Sequence, residues 1–141
     1  MKRDNDLIRE ILLIAGSADE MLLAIELSEL IDKFPDITRY ILDSHLQFLS
    51  EKGLVELHRD RSGIYIERIT WDGYDFLAAA RNATVWNKVK AVAATSSWDI
   101  LNYALKEISL KYAANWFYNF LAQIMQQASC RKASNICILL S

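Results

Sequence analysis

The feature that most constrains the fold is a change of residue period at Gly53. Before this glycine, residues recur at helical spacing and form one stripe: Ile41, Leu42, His45, Leu46 and Leu49. After it, side chains alternate between the two faces of a strand, with Val55, Leu57 and Arg59 on the same face. The residues at 60–63 are typical of a turn, and those at 64–66 are β-formers. The stretch 36–69 is therefore predicted to form a helix, a glycine cap and a β-hairpin.

Two further helices are predicted before this unit. Asp4 or Asn5 can cap the first helix, whose apolar stripe comprises Leu7, Ile8, Ile11, Leu12 and Ala15. Residues 21–25 form a short apolar run, for which an edge strand is favoured over the start of the second helix. The second helix stops at residues 34–35, and Asp36 is expected to cap the third.

More helices are predicted after the hairpin. Thr70 is expected to cap a fourth helix that ends at Asn82, and Thr84 is expected to start a fifth. The stretch 98–127 contains neither proline nor glycine. It is predicted to form either one long helix or two helices with a break near Asn115.

A helix, a glycine cap and a short hairpin in this order are the second half of a winged helix-turn-helix. The predicted fold class is therefore mainly α (α+β): a winged helix-turn-helix with a small β wing, followed by C-terminal helices. The expected winged-helix domain spans residues 1–81. A helical C-terminal extension is expected over 82–128, and a tail of uncertain structure over 129–141.

The net charge is −2, so the protein is not strongly basic, and its charge does not by itself indicate nucleic-acid binding. The charge is uneven, because residues 1–53 hold six Lys and Arg against eleven Asp and Glu, whereas residues 54–141 hold ten against seven. A charged N-terminus and the lack of a long apolar run predict a cytoplasmic protein without membrane association. The two cysteines, Cys130 and Cys137, are too few for a disulfide framework or a zinc site, and no metal or cofactor is expected.

Side chains suited to DNA recognition occur on the third helix and the hairpin. On the helix, those able to reach base edges or phosphates are Arg39, Tyr40, Ser44 and Gln47. On the hairpin, those able to reach phosphates are Arg59, Arg61 and Arg68. Asp43, in the middle of the helical face, opposes binding to a polyanion, and a solvated helix face explains the helical pattern equally well.

The sequence does not support a catalytic activity. His45 borders the leucine stripe, so a hydrogen-bonded packing histidine is the expected role. Its neighbour Ser44 does not indicate a catalytic triad, because triad residues meet through the fold and need a third orienting group. An enzyme is therefore not expected.

The stretch 98–127 also carries a long apolar stripe. Large apolar residues on a terminal helix mark either an interface or intramolecular packing. As an interface, the stripe predicts a homodimer whose contact residues are Leu105, Ile108, Tyr112, Trp116 and Phe120.

Three blocks of the sequence resemble the bacterial and prophage proteins called the domain of unknown function 2513 family. The blocks are KRDNDLIREILL at 2–13, HLQFLSEKGLVE at 45–56 and RITWDGYDFLAAARNATVWNKVK at 68–90. The resemblance covers about residues 2–110, whereas residues 19–36 and those after about Lys111 depart from the pattern. It implies a winged-helix-like domain, commonly encoded near phage genes, with no assigned activity.

The leading functional hypothesis is a small DNA-binding, transcription-regulator-like protein, phage- or prophage-derived and dimeric. The alternative is a non-enzymatic protein–protein interaction module that uses the same scaffold. The acidic first half favours the alternative, and the arginines of the hairpin favour DNA.

Overall fold

Six helices and a three-stranded antiparallel sheet form the described part of the chain, which is residues 2–17 and 25–140 of a computed structural model, with side chains described as far as residue 128. The helices are α1 (Asn5–Ser17), α2 (Leu27–Lys33), α3 (Arg39–Glu51), α4 (Trp71–Ala80), α5 (Ala83–Ala93) and α6 (Trp98–Leu140). The strands are β1 (Ile25–Glu26), β2 (Val55–Asp60) and β3 (Gly63–Ile69). Of the edge strand expected at 21–25, only Ile25 lies within the described residues. The predicted α+β class, mainly helical with a small sheet, is confirmed.

The strand order in the sheet is β1-β3-β2. The hairpin pairs Val55 with Ile69 at its base and Asp60 with Gly63 at its tip. The register shifts between Glu56 and Leu57, where β3 contributes one extra residue. A bulge of this kind increases the local twist of a hairpin.

The predicted glycine cap of α3 is confirmed at Gly53, whose φ is 72°. The Gly53 N–H donates to the Ser50 carbonyl at 3.0 Å, and the Leu54 N–H donates to the Leu49 carbonyl at 2.9 Å. These two bonds are the pattern of a Schellman motif, which satisfies carbonyls that the end of a helix leaves without partners. The chain leaves the helix in the direction of β2, and Leu54 enters the core.

Two of the predicted helix limits are wrong. Thr38, and not Asp36, caps α3, because the chain still turns through residues 35–37 and first becomes extended at Thr38. The Thr38 hydroxyl accepts from the Ile41 N–H at 3.3 Å.

Asn82 does not end α4 but caps α5, because its carboxamide oxygen accepts from the N–H groups of Thr84 and Val85. The predicted cap at Thr70 is confirmed, with its hydroxyl accepting from Gly73.

A single hydrophobic core runs across the domain boundary that was expected after residue 81. It includes Leu12 of α1, Leu46 of α3, Phe76 of α4, Trp86 of α5 and Leu101 of α6. In the continuous helix α6, the buried side chains are confined to the first turns, whereas every side chain described from residue 110 to residue 128 is exposed. The helix passes through the break considered near Asn115 and continues into the tail predicted at 129–141.

A polar contact also ties α5 to α1. The Trp86 indole N–H donates to Asp6 at 2.8 Å, and the Lys90 ammonium lies 3.0 Å from the same carboxylate. Burial raises the pKa of Asp6, but the hydrogen bonds from Trp86 and Lys90 outweigh it, so the pKa lies below its usual value. The first and fifth helices are thus joined through a carboxylate that stays ionised at neutral pH.

His45 is a buried packing residue, as predicted, and it links α3 to the start of α1. The Asp4 N–H donates to Nε2 of His45 at 2.9 Å, and Nδ1 lies 2.7 Å from the Ile41 carbonyl oxygen. Because a backbone N–H can only donate, Nε2 is the acceptor and Nδ1 carries the proton. The Asp4 carboxylate in turn caps α1 by accepting from the Leu7 N–H.

Replacing His45 with leucine is expected to lower the free energy of unfolding by about 1–3 kcal/mol, since the Asp4 N–H loses its partner. His45→Gln should cost less, because its side-chain oxygen can accept the same N–H. Urea denaturation of both variants tests this. Equal losses in the two variants would show that the hydrogen bond to Asp4 does not stabilise the fold.

Gly73 allows α4 to pack directly against the start of the hairpin. A Cβ atom at this position would collide with the Leu54 carbonyl oxygen and lie 2.5 Å from Cγ2 of Ile69. The same Leu54 oxygen accepts from the Thr70 N–H at 3.0 Å. A larger residue would therefore force α4 away from a backbone contact.

Gly73→Ala is expected to destabilise the protein by about 1–3 kcal/mol, the usual cost of an overpacked buried site. The exposed variant Ala78→Ser on the same helix should change stability by only about 0.5 kcal/mol. Thermal unfolding monitored by circular dichroism compares the two. A Gly73→Ala protein as stable as Ala78→Ser would contradict the close packing of α4.

Candidate nucleic-acid interface

The exposed side of α3 and the neighbouring hairpin form one surface, which we call the α3–wing face. It carries Arg39, Tyr40, Asp43, Ser44 and Gln47 on α3, and Arg59 and Arg61 on the hairpin. The Arg59 guanidinium joins the two parts, because its Nη2 donates to Asp43 Oδ1 at 2.8 Å and to Gln47 Oε1 at 2.9 Å. Six of the seven predicted DNA-binding residues therefore lie on this face.

The amphipathic pattern of α3 explains why this side is available to a ligand. Leu42, Leu46 and Leu49 are completely buried. On the opposite side, Arg39 and Gln47 are exposed, and Tyr40 is 72% exposed. One side of the helix thus packs against the core, and the other side presents polar and aromatic side chains.

A groove of ≈ 410 Å³ runs beside this face, and it includes residues that the sequence analysis did not single out. Arg3 lines it, with its Cζ 5.8 Å from the Phe48 ring centroid and 5.7 Å from the Trp98 ring centroid. Glu51 also lines the groove and accepts from the Gln47 amide at 3.2 Å. No sequence pattern indicates the position of Arg3, because it precedes the first helix and reaches the groove only through the fold.

Arg68 lies apart from the α3–wing face. It is paired with Glu56 across the strands, and two of its nitrogens donate to that carboxylate at 2.6 and 2.7 Å. These bonds lower the pKa of Glu56 and raise the pKa of Arg68. Since residues alternate between the faces of a strand, Glu56 and Arg68 lie on the opposite face of the hairpin from Arg59.

The hairpin turn is held by Asp60. Its Oδ1 accepts from the N–H groups of Ser62 and Gly63, at 2.8 and 3.1 Å, and from the Ser62 hydroxyl. The bonds from Ser62 are the main reason why the pKa of Asp60 is lowered, and the Gly63 N–H and nearby His58 add to the effect. Arg61 therefore stands exposed on a well-defined turn.

The predicted dimerisation residues divide into two groups. Leu105 is completely buried and Ile108 packs against the core, so Leu105 has no surface left for a partner. Tyr112, Trp116 and Phe120 are exposed, and the rings of Trp116 and Phe120 stack with centroids 5.4 Å apart. Five further exposed apolar residues of the helix were not among the predicted contact residues: Leu110, Phe117, Leu121, Ile124 and Met125.

The described residues offer no group of three His, Cys, Asp or Glu side chains that could hold a metal ion. Among the same residues, no helix is both long enough and apolar enough to cross a membrane.

Comparison with known proteins gives a family but no activity. The family model described as "Hypothetical protein (DUF2513)" matches residues 2–99. An uncharacterized protein of Haemophilus influenzae is 32% identical over 113 residues, which cover 77% of this chain and 92% of that protein. No solved structure matches the chain. The match includes α1 to α5 and the start of α6, and the chain belongs to the DUF2513 family of hypothetical proteins.

Proposed function

We propose that this protein is a winged helix-turn-helix protein that binds double-stranded DNA through the α3–wing face and acts as a transcription-regulator-like protein. The order α1-β1-α2-α3-β2-β3, with strand order β1-β3-β2, supports this. In such a fold the third helix enters the major groove and the hairpin lies beside it. The observation that carries the proposal is that an exposed polar side of α3 continues into an arginine-bearing hairpin through Arg59.

The side chains of α3 suit contacts in the major groove. Arg39 can donate twice to guanine, and Gln47 can pair with adenine. Ser44 and Tyr40 can contact bases or phosphates. Within the described part of the chain, neither Arg39 nor Arg61 makes an ion pair, so both guanidinium groups are available.

Asp43 limits the affinity of this surface. Its carboxylate repels phosphates, and it also holds Arg59, the hairpin arginine that reaches α3. An exposed ion pair of this kind is worth only about 0.2–1 kcal/mol. Arg59 can therefore exchange Asp43 for a phosphate at small cost, and the Asp43 carboxylate can then accept from a cytosine amine.

Replacing Arg59 and Arg61 together with alanine is expected to remove two phosphate contacts. The slope of log affinity against log salt should then fall by roughly 2. Fluorescence anisotropy with a labelled random-sequence duplex at several salt concentrations measures this slope. Arg68→Ala is the matched control, because Arg68 lies on the other face of the same hairpin, and its slope should equal that of the wild type. An equal loss in the control, or an unchanged slope in the double variant, would overturn the assignment of the face.

Asp43→Asn is expected to strengthen duplex binding by about two- to fivefold, since it removes a phosphate-repelling charge and releases Arg59. The control Asp75→Asn makes the same change of net charge at an exposed position on α4. It should leave the affinity close to that of the wild type. If both variants gain equally, the effect comes from net charge and not from the face.

A protein-interaction module is the second candidate, and one observation favours it. Trp71 is 82% exposed at the start of α4, and its ring lies 6.5 Å from that of Tyr74, which is also exposed. Exposed Trp and Tyr are common anchors of protein interfaces. Wild-type protein that fails to bind any duplex at low salt would favour this candidate over DNA binding.

A further inference from the structure

The second half of the described α6 presents an apolar face that the core does not use. Trp98, Leu101 and Leu105 are buried against the rest of the protein. At about 100° per residue, the same side of the helix continues beyond Ile108 to Tyr112 and Trp116, which are exposed, and then to the amides Asn119 and Gln123.

The large apolar residues of this second half lie elsewhere on the helix. Leu110, Phe117, Leu121 and Ile124 centre on a side that is about 140° around the axis from the buried stripe. We call this the distal face, and it also includes Ala113 and Phe120. The first turns of α6 therefore cover the core, whereas its distal face is turned away from that contact.

The distal face is as large as the patches through which proteins often bind a partner. Leu110 is 66% exposed, Phe117 57%, Phe120 45%, Leu121 42% and Ile124 45%. With about 150–250 Å² for a large side chain, these residues expose on the order of 500 Å². That lies toward the upper end of the roughly 300–600 Å² of the largest patch on a typical monomer, a patch that is often functional.

The spacing of the distal face fits a two-helix seam. Leu110, Phe117 and Ile124 recur every seven residues, and Ala113 and Phe120 occupy the positions between them. These are the a and d positions of a heptad repeat, whose side chains interlock with those of a second helix.

We propose that the partner is a second copy of this chain, with the two α6 helices antiparallel. In that orientation Ala113 lies opposite Ile124 of the second copy, and Phe117 lies opposite Phe120. The small Ala113 side chain then meets a large one, the two phenylalanines face each other, and the same contacts repeat about a two-fold axis. A parallel pairing would instead place Ala113 opposite its own copy and leave a gap in the seam.

The residue composition of α6 around the distal face favours a second copy over other partners. No charged residue occurs from Tyr112 to Ala128. A helix that lies on a membrane surface carries Lys and Arg on its polar face, whereas the polar side here carries amides. A face without charges is also self-compatible, because two identical copies bring no like charges together.

The association test compares two matched double variants of the full chain by sedimentation velocity. Wild type is expected to be dimeric, and Phe117→Glu with Phe120→Glu should weaken dimerisation by about 100-fold or more. Asn115→Glu with Asn119→Glu adds the same charge on the amide side and should remain dimeric. Because all four positions are exposed in the monomer, both variants should keep the wild-type circular dichroism spectrum. Wild-type protein that stays monomeric at high concentration, or that sediments with lipid vesicles instead of dimerising, overturns the proposal.

The register test uses protein in which Cys130 and Cys137 are replaced by serine. Ala113→Cys combined with Ile124→Cys should form disulfides between two chains on mild oxidation, whereas Ala113→Cys alone should not. Cross-linking of the single variant would show a parallel pairing and overturn the antiparallel one. Neither test contains DNA, so its outcome is independent of the DNA-binding proposal.

Discussion

The backbone of Leu54 is the point on which the arrangement of α3, the hairpin and α4 depends. Its N–H donates to the last turn of α3, and its carbonyl oxygen accepts from Thr70, the residue that caps α4. Gly73 permits α4 to approach this carbonyl without a side chain between them. Three elements are thus fixed by one peptide segment, and the orientation of the hairpin relative to α3 follows from it. The α3–wing face exists because this segment sets that orientation.

The electrostatics of the face follow from which arginines the fold pairs with acids. Arg68 is neutralised by Glu56 on the far side of the hairpin, and Arg59 shares Asp43 and Gln47 with α3. Arg61 lies exposed at the tip, on a turn that Asp60 organises. The surface is therefore basic only in part. This agrees with a chain whose net charge is near zero. In the proposed DNA complex, base-edge contacts on α3 would therefore supply much of the selectivity.

The sequence predicted the periodic parts of this fold well. The leucine stripe of α3, the Gly53 cap and the hairpin that follows it all depend on neighbouring residues, and they are found where they were expected. The caps at Thr38 and Asn82 were missed, because each depends on where the preceding turn ends. The pairing of Arg68 with Glu56 was also missed, since it requires the hairpin register. On α6, a single stripe was assumed to continue along the helix. The contact with the core instead ends at Ile108, so Tyr112 and Trp116 farther along the same stripe are exposed, and further apolar residues lie on another side of the helix.

The length of α6 has a geometric consequence for the paired form. In the proposed antiparallel pair the two-fold axis passes between residues 118 and 119, about ten residues beyond the last core contact of α6. At ~1.5 Å per residue, the facing ends of the two globular parts would then be roughly 30 Å apart. Two-fold dimers read half-sites one turn of DNA apart, ~34 Å, or multiples of it. In the proposed pair, the distance between the two α3 helices would be set by this gap together with the place of α3 in each globular part. A rigid helix of this length would act as a ruler between two recognition helices. The matching operator would be an inverted repeat, with its spacing set by the number of residues between the core and the seam.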